Sequence, residues 1–189
     1  MTEELTQPRG HLEGTVNAPV VLVERTLDAT TREVWDAWTR PEQLARWLGA
    51  AEGPLDQKGN EVRMAMAAAE LPDDFDAADN PVTFTVLEAV PPDDAGTGRL
   101  VLTFDDSADP GGTLTVDLAS EGPDRCRLVL RHELTPRPEA ITNAAGFGAG
   151  WEGFLDWLDD ALAGREHGSD DRYEQILPAW ERLASALPH

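Results

Sequence analysis

Cysteine is nearly missing: Cys126 is the only one in 189 residues. A single thiol excludes an internal disulfide framework and any cysteine-cluster zinc site. No run approaches the ~18 apolar residues that a membrane span needs. The opening, Met1 to Thr6, is acidic and polar, unlike the basic start of a secretory leader. Positive charge is scarce as well. Lys and Arg number 15 against 36 Asp and Glu, for a net charge of −21. Such a surface repels nucleic-acid phosphates and anionic membranes, so neither is an expected partner. These shortages together point to a soluble cytoplasmic protein. At ~150 residues per domain the length suits one domain with an extension, large enough for a core without disulfides or metals.

Lysine occurs once, as Lys58. Arginine in its place, beside abundant Ala, Asp, Gly and Pro, reads as GC-rich coding. The competing reading is a salt-adapted acidic surface. The coding reading predicts a melting temperature flat from low to molar KCl. A rise with salt, as acidic self-repulsion is screened, would mark salt adaptation instead.

Along the chain, residues 1–15 carry no periodicity and include Pro8, Gly10 and Gly14, which predicts a flexible lead-in. Val20–Leu27 is β-branched and apolar, the pattern of a strand. Thr30 or Thr31 then caps a helix, with Glu33 as early negative charge and Val34, Trp35 and Trp38 on one face. Pro41 opens a second short helix carrying Leu44, Trp47 and Leu48, and Gly49 stops it. From Gly53 to Leu134 the period becomes two. Val62, Met64 and Met66 alternate with polar or small neighbours, as do Val82, Phe84 and Val86. Leu100, Leu102 and Phe104 follow, then Leu114, Val116 and Leu118, then Cys126, Leu128, Leu130, His132 and Leu134. This predicts antiparallel strands with one buried face. The acidic stretch Leu71–Pro81 lacks the central Gly and terminal Glu of a calcium loop and reads as a solvated loop. After Pro138 the helical period returns: Phe147, Trp151, Phe154 or Leu155, Leu158 and Leu162 form one stripe, predicting a helix over 141–163. Gly146, Gly148 and Gly150 at its front cost about 1 kcal/mol each relative to Ala, so something there wants a close approach or a bend. Tyr173, Ile176, Leu177, Trp180, Leu183 and Leu187 suggest a terminal helix, kinked or divided at Pro178.

Segregated strands and helices define an α+β class. The one-sided sheet and the one-striped helix each need the other, so a curved antiparallel sheet gripping the long C-terminal helix is expected, with two short helices after the first strand. Residues 23–48, with Val34-Trp35-Asp36-Ala37-Trp38-Thr39-Arg40-Pro41-Glu42 at their centre, resemble the opening of the SRPBCC (START-like) superfamily. The branch they resemble is the family similar to the C-terminal domain of the activator of the heat shock protein 90 ATPase. Arg99–Phe104, Cys126–Leu134 and the helix opening Ala145–Trp151 with Phe154–Leu158 also match, whereas Met64–Asp79 is longer and more acidic than usual. The resemblance covers about residues 14–187. It implies the helix-grip fold and, in many members, a hydrophobic pocket, but no particular reaction, since members include co-chaperone domains, polyketide cyclases and lipid carriers. The expected organisation is a lead-in over 1–15, the helix-grip domain over 16–164 and a C-terminal extension over 165–189, packed on the domain as a short helix.

No catalytic set can be assembled. His132 is the one histidine inside a regular element, and it faces inward; a lone inward histidine is more often a satisfied core residue than a catalyst. Cys126 faces inward without a basic neighbour, so its thiol is expected to be inert. No metal cluster and no phosphate-binding glycine loop stands in the right context, and no cofactor is expected. What remains is a cavity between sheet and helix, lined by Met64, Met66, Phe84, Phe104, His132, Phe147, Trp151 and Phe154. Its mostly apolar make-up predicts non-enzymatic binding of a small hydrophobic or aromatic ligand. The alternative is a protein-interaction module of the co-chaperone kind, and a cyclase-type enzyme is a weaker third, because only His132 would supply a polar group. A monomer or a homodimer would serve any of these.

Overall fold

The computed structural model describes residues 7–67, 81–106, 109–138, 140–167 and 171–188, without the side chains of 104–106, 109, 110 and 171. The acidic loop read from Leu71 falls outside the described residues up to Asn80. Among the described residues eight strands form one curved antiparallel sheet: β1 (Gly10–Thr15), β2 (Ala18–Leu27), β3 (Gly49–Ala51), β4 (Glu61–Met66), β5 (Val82–Val90), β6 (Thr97–Asp106), β7 (Asp109–Gly122) and β8 (Arg125–Glu133). Their order across the sheet is β1-β2-β8-β7-β6-β5-β4-β3. Period-two burial runs through the inner strands. In β8, Cys126, Leu128, Leu130 and His132 are buried while Arg125, Arg127 and Glu133 are exposed. Register shifts at Val86/Glu88, Phe104/Asp105 and Ser120/Gly122 interrupt the ladders. Such bulges bend and twist their strands.

Among the described residues four helices accompany the sheet: α1 (Thr31–Thr39), α2 (Pro41–Leu44), α3 (Ile141–Leu162) and α4 (Asp171–Ser185). Thr30 caps α1 in a reciprocal capping box with Glu33. The Trp47 indole donates to the Ala37 carbonyl at 3.0 Å and meets Trp38 edge to face at 4.8 Å between centroids. The turn after α2 is thereby pinned under α1. Trp38 in turn lies 6.3 Å from Trp151, so α1 and α3 share one aromatic core.

Three expectations are corrected. Gly10–Thr15, read within the lead-in, is an edge strand in register with β2, from Gly10 opposite Val23 to Thr15 opposite Ala18. Leu12 is its one large apolar residue, so no alternation announced it; backbone pairing creates the strand. The two short helices therefore follow the second strand, not the first. The predicted second helix also stops at Leu44, leaving Trp47 and Leu48 in turns. The terminal helix is one element through Pro178, the undivided of its two expected forms.

The mid-helix glycine at 148 has a packing reason. A Cβ there would overlap the Trp180 ring, which lies flat against the α3 backbone. Trp180 is fully buried by this contact, and α4 is docked along α3. Gly148→Ala is accordingly expected to cost about 1–3 kcal/mol through overpacking, although alanine is the better helix former. A denaturation midpoint at or above wild type would show that α4 can shift aside.

Candidate functional site

Residues 142, 143, 146, 147, 150, 151 and 154 follow the i, i+3, i+4 spacing and share one face of α3. Opposite them stand Met66 and Ala67 at the end of β4, and Tyr173 on α4. An open cleft of about 520 Å³ lies between these elements. Met66, Phe147, Trp151 and Phe154 form its apolar walls, and Thr142, Asn143 and Tyr173 supply its polar groups. Gly146 and Gly150 contribute bare helix backbone. A Cβ at position 150 would meet nothing within 4 Å, and one at position 146 would stand 3.5 Å from the Tyr173 hydroxyl.

Four of the eight residues read as cavity lining, Met66, Phe147, Trp151 and Phe154, therefore share the cleft. Met64, Phe84 and His132 do not line it; each is 0% exposed. Alternation assigned them to the inner face, where His132 meets Trp151 and Phe147 of α3 and Met64 and Phe84 belong to the hydrophobic core; the cleft lies at the end of β4. The Phe104 side chain lies outside the described ones. Tyr173, Thr142 and Asn143 were missed. The polar residues lie at the start of the predicted stripe, and nothing local reveals that α4 folds back to face them.

His132 is held from both sides. The Trp151 indole donates to Nδ1 at 3.0 Å, so the ring carries its proton on Nε2, which donates to the Gly111 carbonyl at 2.8 Å. Phe147 closes on the ring edge to face at 4.7 Å. The histidine thus orients Trp151 from beneath the cleft. Burial pushes its pKa down from 6.5 to about 4. The folded protein then binds fewer protons than the unfolded chain between these values, so this group's effect on stability is lost as pH falls from about 6.5 to about 4. The total is on the order of 3 kcal/mol. A nitrogen-15 NMR titration should show the Nε2–H tautomer persisting to pH 5, and the acid loss should shrink in His132→Gln. An imidazolium signal at pH 6 would refute the burial effect. Cys126 is equally closed off: burial pushes its thiol up to about 11, which leaves no reactive thiolate at neutral pH.

A second polar constellation sits on the other side of α3. Glu152 is 0% exposed, although the helical pattern places it off the apolar stripe. Its Oε1 accepts from the backbone N–H groups of Arg9 and Gly10 at 2.7 and 3.2 Å and from the Trp180 indole at 3.2 Å. Its Oε2 accepts from Arg172 Nη2 at 3.0 Å and faces Arg25 Nη2 at 3.6 Å. Asp156, one turn on, meets Arg9 at 2.9 Å, Arg172 at 3.6 Å and Arg25 at 3.7 Å. One carboxylate thereby ties β1, β2 and α4 to α3. Burial lowers the Arg25 pKa, opposed by Asp156 and Glu152; an arginine nonetheless stays charged. The sequence did hold one signal. In β2 the buried positions run Val21, Val23, Arg25, Leu27, and an arginine at an inward position requires a buried carboxylate.

Among the described residues no group of three or more His, Cys, Asp or Glu side chains could hold a metal ion, and no helix is long and apolar enough to cross a membrane.

A long helix gripped by an antiparallel sheet, with an aromatic cleft at one end of the grip, defines a helix-grip protein. The family model for the Activator of Hsp90 ATPase homolog 1-like protein matches residues 28–163, and the chain belongs to that family. Solved structures agree in fold. CalU16 from Micromonospora echinospora superposes with a TM-score of 0.64 at 23% identity, covering 96% of this chain and 99% of that one. A conserved protein of unknown function from Enterococcus faecalis, EF2215, gives 0.71 at 17% identity over 100% and 96% of the two chains. The Aha1 dimer of Colwellia psychrerythraea gives 0.56 at 14% identity over 76% of this chain and 95% of that one. None of the curated proteins matches the chain.

Proposed function

We propose that this protein binds a small hydrophobic or aromatic molecule in the cleft between α3, the end of β4 and α4. The observation that carries the reading is the cleft itself. Its volume of about 520 Å³ falls within the ~300–1,000 Å³ of small-molecule sites, and aromatic and apolar side chains with a few polar groups line it. No acid–base pair and no nucleophile–base pair stands among its lining residues, so the reading is binding rather than turnover. A protein-interaction role would draw on an exposed apolar patch near the helices. The exposed large apolar residues among those described, Leu87 and Val90, lie on β5 instead.

The test is titration with N-phenyl-1-naphthylamine, an uncharged fluorescent aromatic probe. Saturable enhancement of its emission is expected, with quenching of tryptophan fluorescence that Trp151→Phe reduces. Met66→Trp should fill the cleft and abolish binding while the far- and near-ultraviolet dichroism stays native. Equal binding by wild type and Met66→Trp, or no saturable binding by wild type, would overturn the reading.

A further inference from the structure

We infer that Arg172 is a positioning residue of the cleft: paired with Glu152 and Asp156, it holds the first turn of α4 against α3 and so keeps Tyr173 in place as the cleft's far wall. The inference rests on the cleft being the binding site and concerns what sets its affinity.

The walls and the ion pair are neighbours in the chain. Trp151 and Tyr173 line the cleft. Glu152 follows Trp151 on α3, and Arg172 precedes Tyr173 on α4. Consecutive helical residues point about 100° apart, so each helix gives one residue to the cleft and the next to the other helix. Arg172 Nη2 donates to Glu152 Oε2 at 3.0 Å, and its Nε faces Asp156 Oδ2 at 3.6 Å. The Arg172 and Glu152 side chains are 11% and 0% exposed, so salt screens their attraction little. This contact joins α3 to α4 one residue away from each wall.

The second anchor of α4 is too remote to fix Tyr173 alone. Trp180, packed on Gly148, lies seven residues further along, about 10 Å down the helix. Pro178 stands between them. It has no N–H to donate to the Glu174 carbonyl, so the hydrogen-bond ladder of α4 is interrupted between its first turns and its Trp180 anchor. Glu152, by contrast, does not rely on Arg172. It also accepts from the Arg9 and Gly10 amides and the Trp180 indole, and it faces Arg25. Removing Arg172 therefore loosens the head of α4 while the remaining charge cluster stays paired.

The experiment titrates N-phenyl-1-naphthylamine into the full chain labelled with 3-fluorotyrosine. Tyr173 is the only tyrosine, so one fluorine-19 resonance reports on it. The probe is expected to shift that resonance in the wild type. Arg172→Met should weaken probe binding about tenfold, the loss when the wall stands in place in about one molecule in ten, and should broaden or split the resonance of the free protein. Arg172→Lys should recover part of both. Arg9→Met removes an Asp156 partner away from the cleft; it should lower the melting temperature yet leave probe affinity and the resonance unchanged, which separates positioning from general stability. Equal probe affinity in wild type and Arg172→Met would overturn the inference while leaving the cleft as the site. Saturable binding that leaves the fluorine resonance unmoved would also overturn it, by removing Tyr173 from the wall. Absence of saturable binding by the wild type would overturn the cleft reading itself.

Discussion

Trp151→Ala is expected to lower the unfolding free energy by roughly 3–5 kcal/mol, the range for truncating a large buried aromatic. Trp151 is 3% exposed and sits where three parts of the core meet. Trp38 of α1 is 6.3 Å away, Phe154 of α3 6.0 Å and His132 of β8 6.0 Å, between ring centroids. The substitution removes these contacts and leaves His132 Nδ1 without its donor inside the core, a penalty of about 1–3 kcal/mol within the total. Trp151→Phe keeps most of the ring packing and loses only the donor, so it should fall between alanine and wild type. Urea denaturation with an unchanged slope is the measurement. A midpoint for Trp151→Ala within error of wild type would mean that the indole bears no load in the core.

The second large effect is expected at Glu152. Removing one member of a buried, hydrogen-bonded charge cluster costs about 3–5 kcal/mol, because the remaining charges stay buried without compensation. Glu152→Ala would leave Arg25 and Arg172 with Asp156 as their carboxylate partner in this cluster, and would strip the acceptor from the Arg9 and Gly10 amides and the Trp180 indole. Glu152→Gln retains a carbonyl acceptor but no charge, so the difference between the two variants separates the hydrogen bonds from the ion pairing. The exposed pairs on the sheet's outer face, such as Arg99–Asp117 and Arg127–Glu24, should by contrast contribute little. A Glu152→Gln variant as stable as wild type would show that the buried charge is dispensable.

The two stabilising features differ in how far the chain announces them. Trp151 lies in a 3.6-residue apolar stripe and could be assigned to the core directly. Glu152 belongs to the polar side of the same helix and becomes buried because β1, β2 and α4, all distant in the chain, close around it. Its one forewarning was Arg25 at an inward position of β2, a charged residue where the alternation calls for an apolar one. The edge strands behave alike. Gly10–Thr15 and Gly49–Ala51 carry no readable alternation, because an edge strand is made by backbone pairing to a neighbour and not by a buried face of its own.

By itself, the sequence determined the α+β class, the central strands, the capped first helix and the long helix, read over 141–163 and found over 141–162, because periods of two and of 3.6 are local properties of residue order. Tertiary structure decided where the empty space lies. Alternation reports which side chains point inward, yet Met64, Phe84 and His132 point inward into a packed core, while Met66 points to an open cleft. The difference arises because β4 ends at Met66, at the edge of the cleft, and because α4, docked by Trp180 against Gly148, brings Tyr173 across the gap. Packing of elements distant in the chain sets those distances, and no periodicity encodes them.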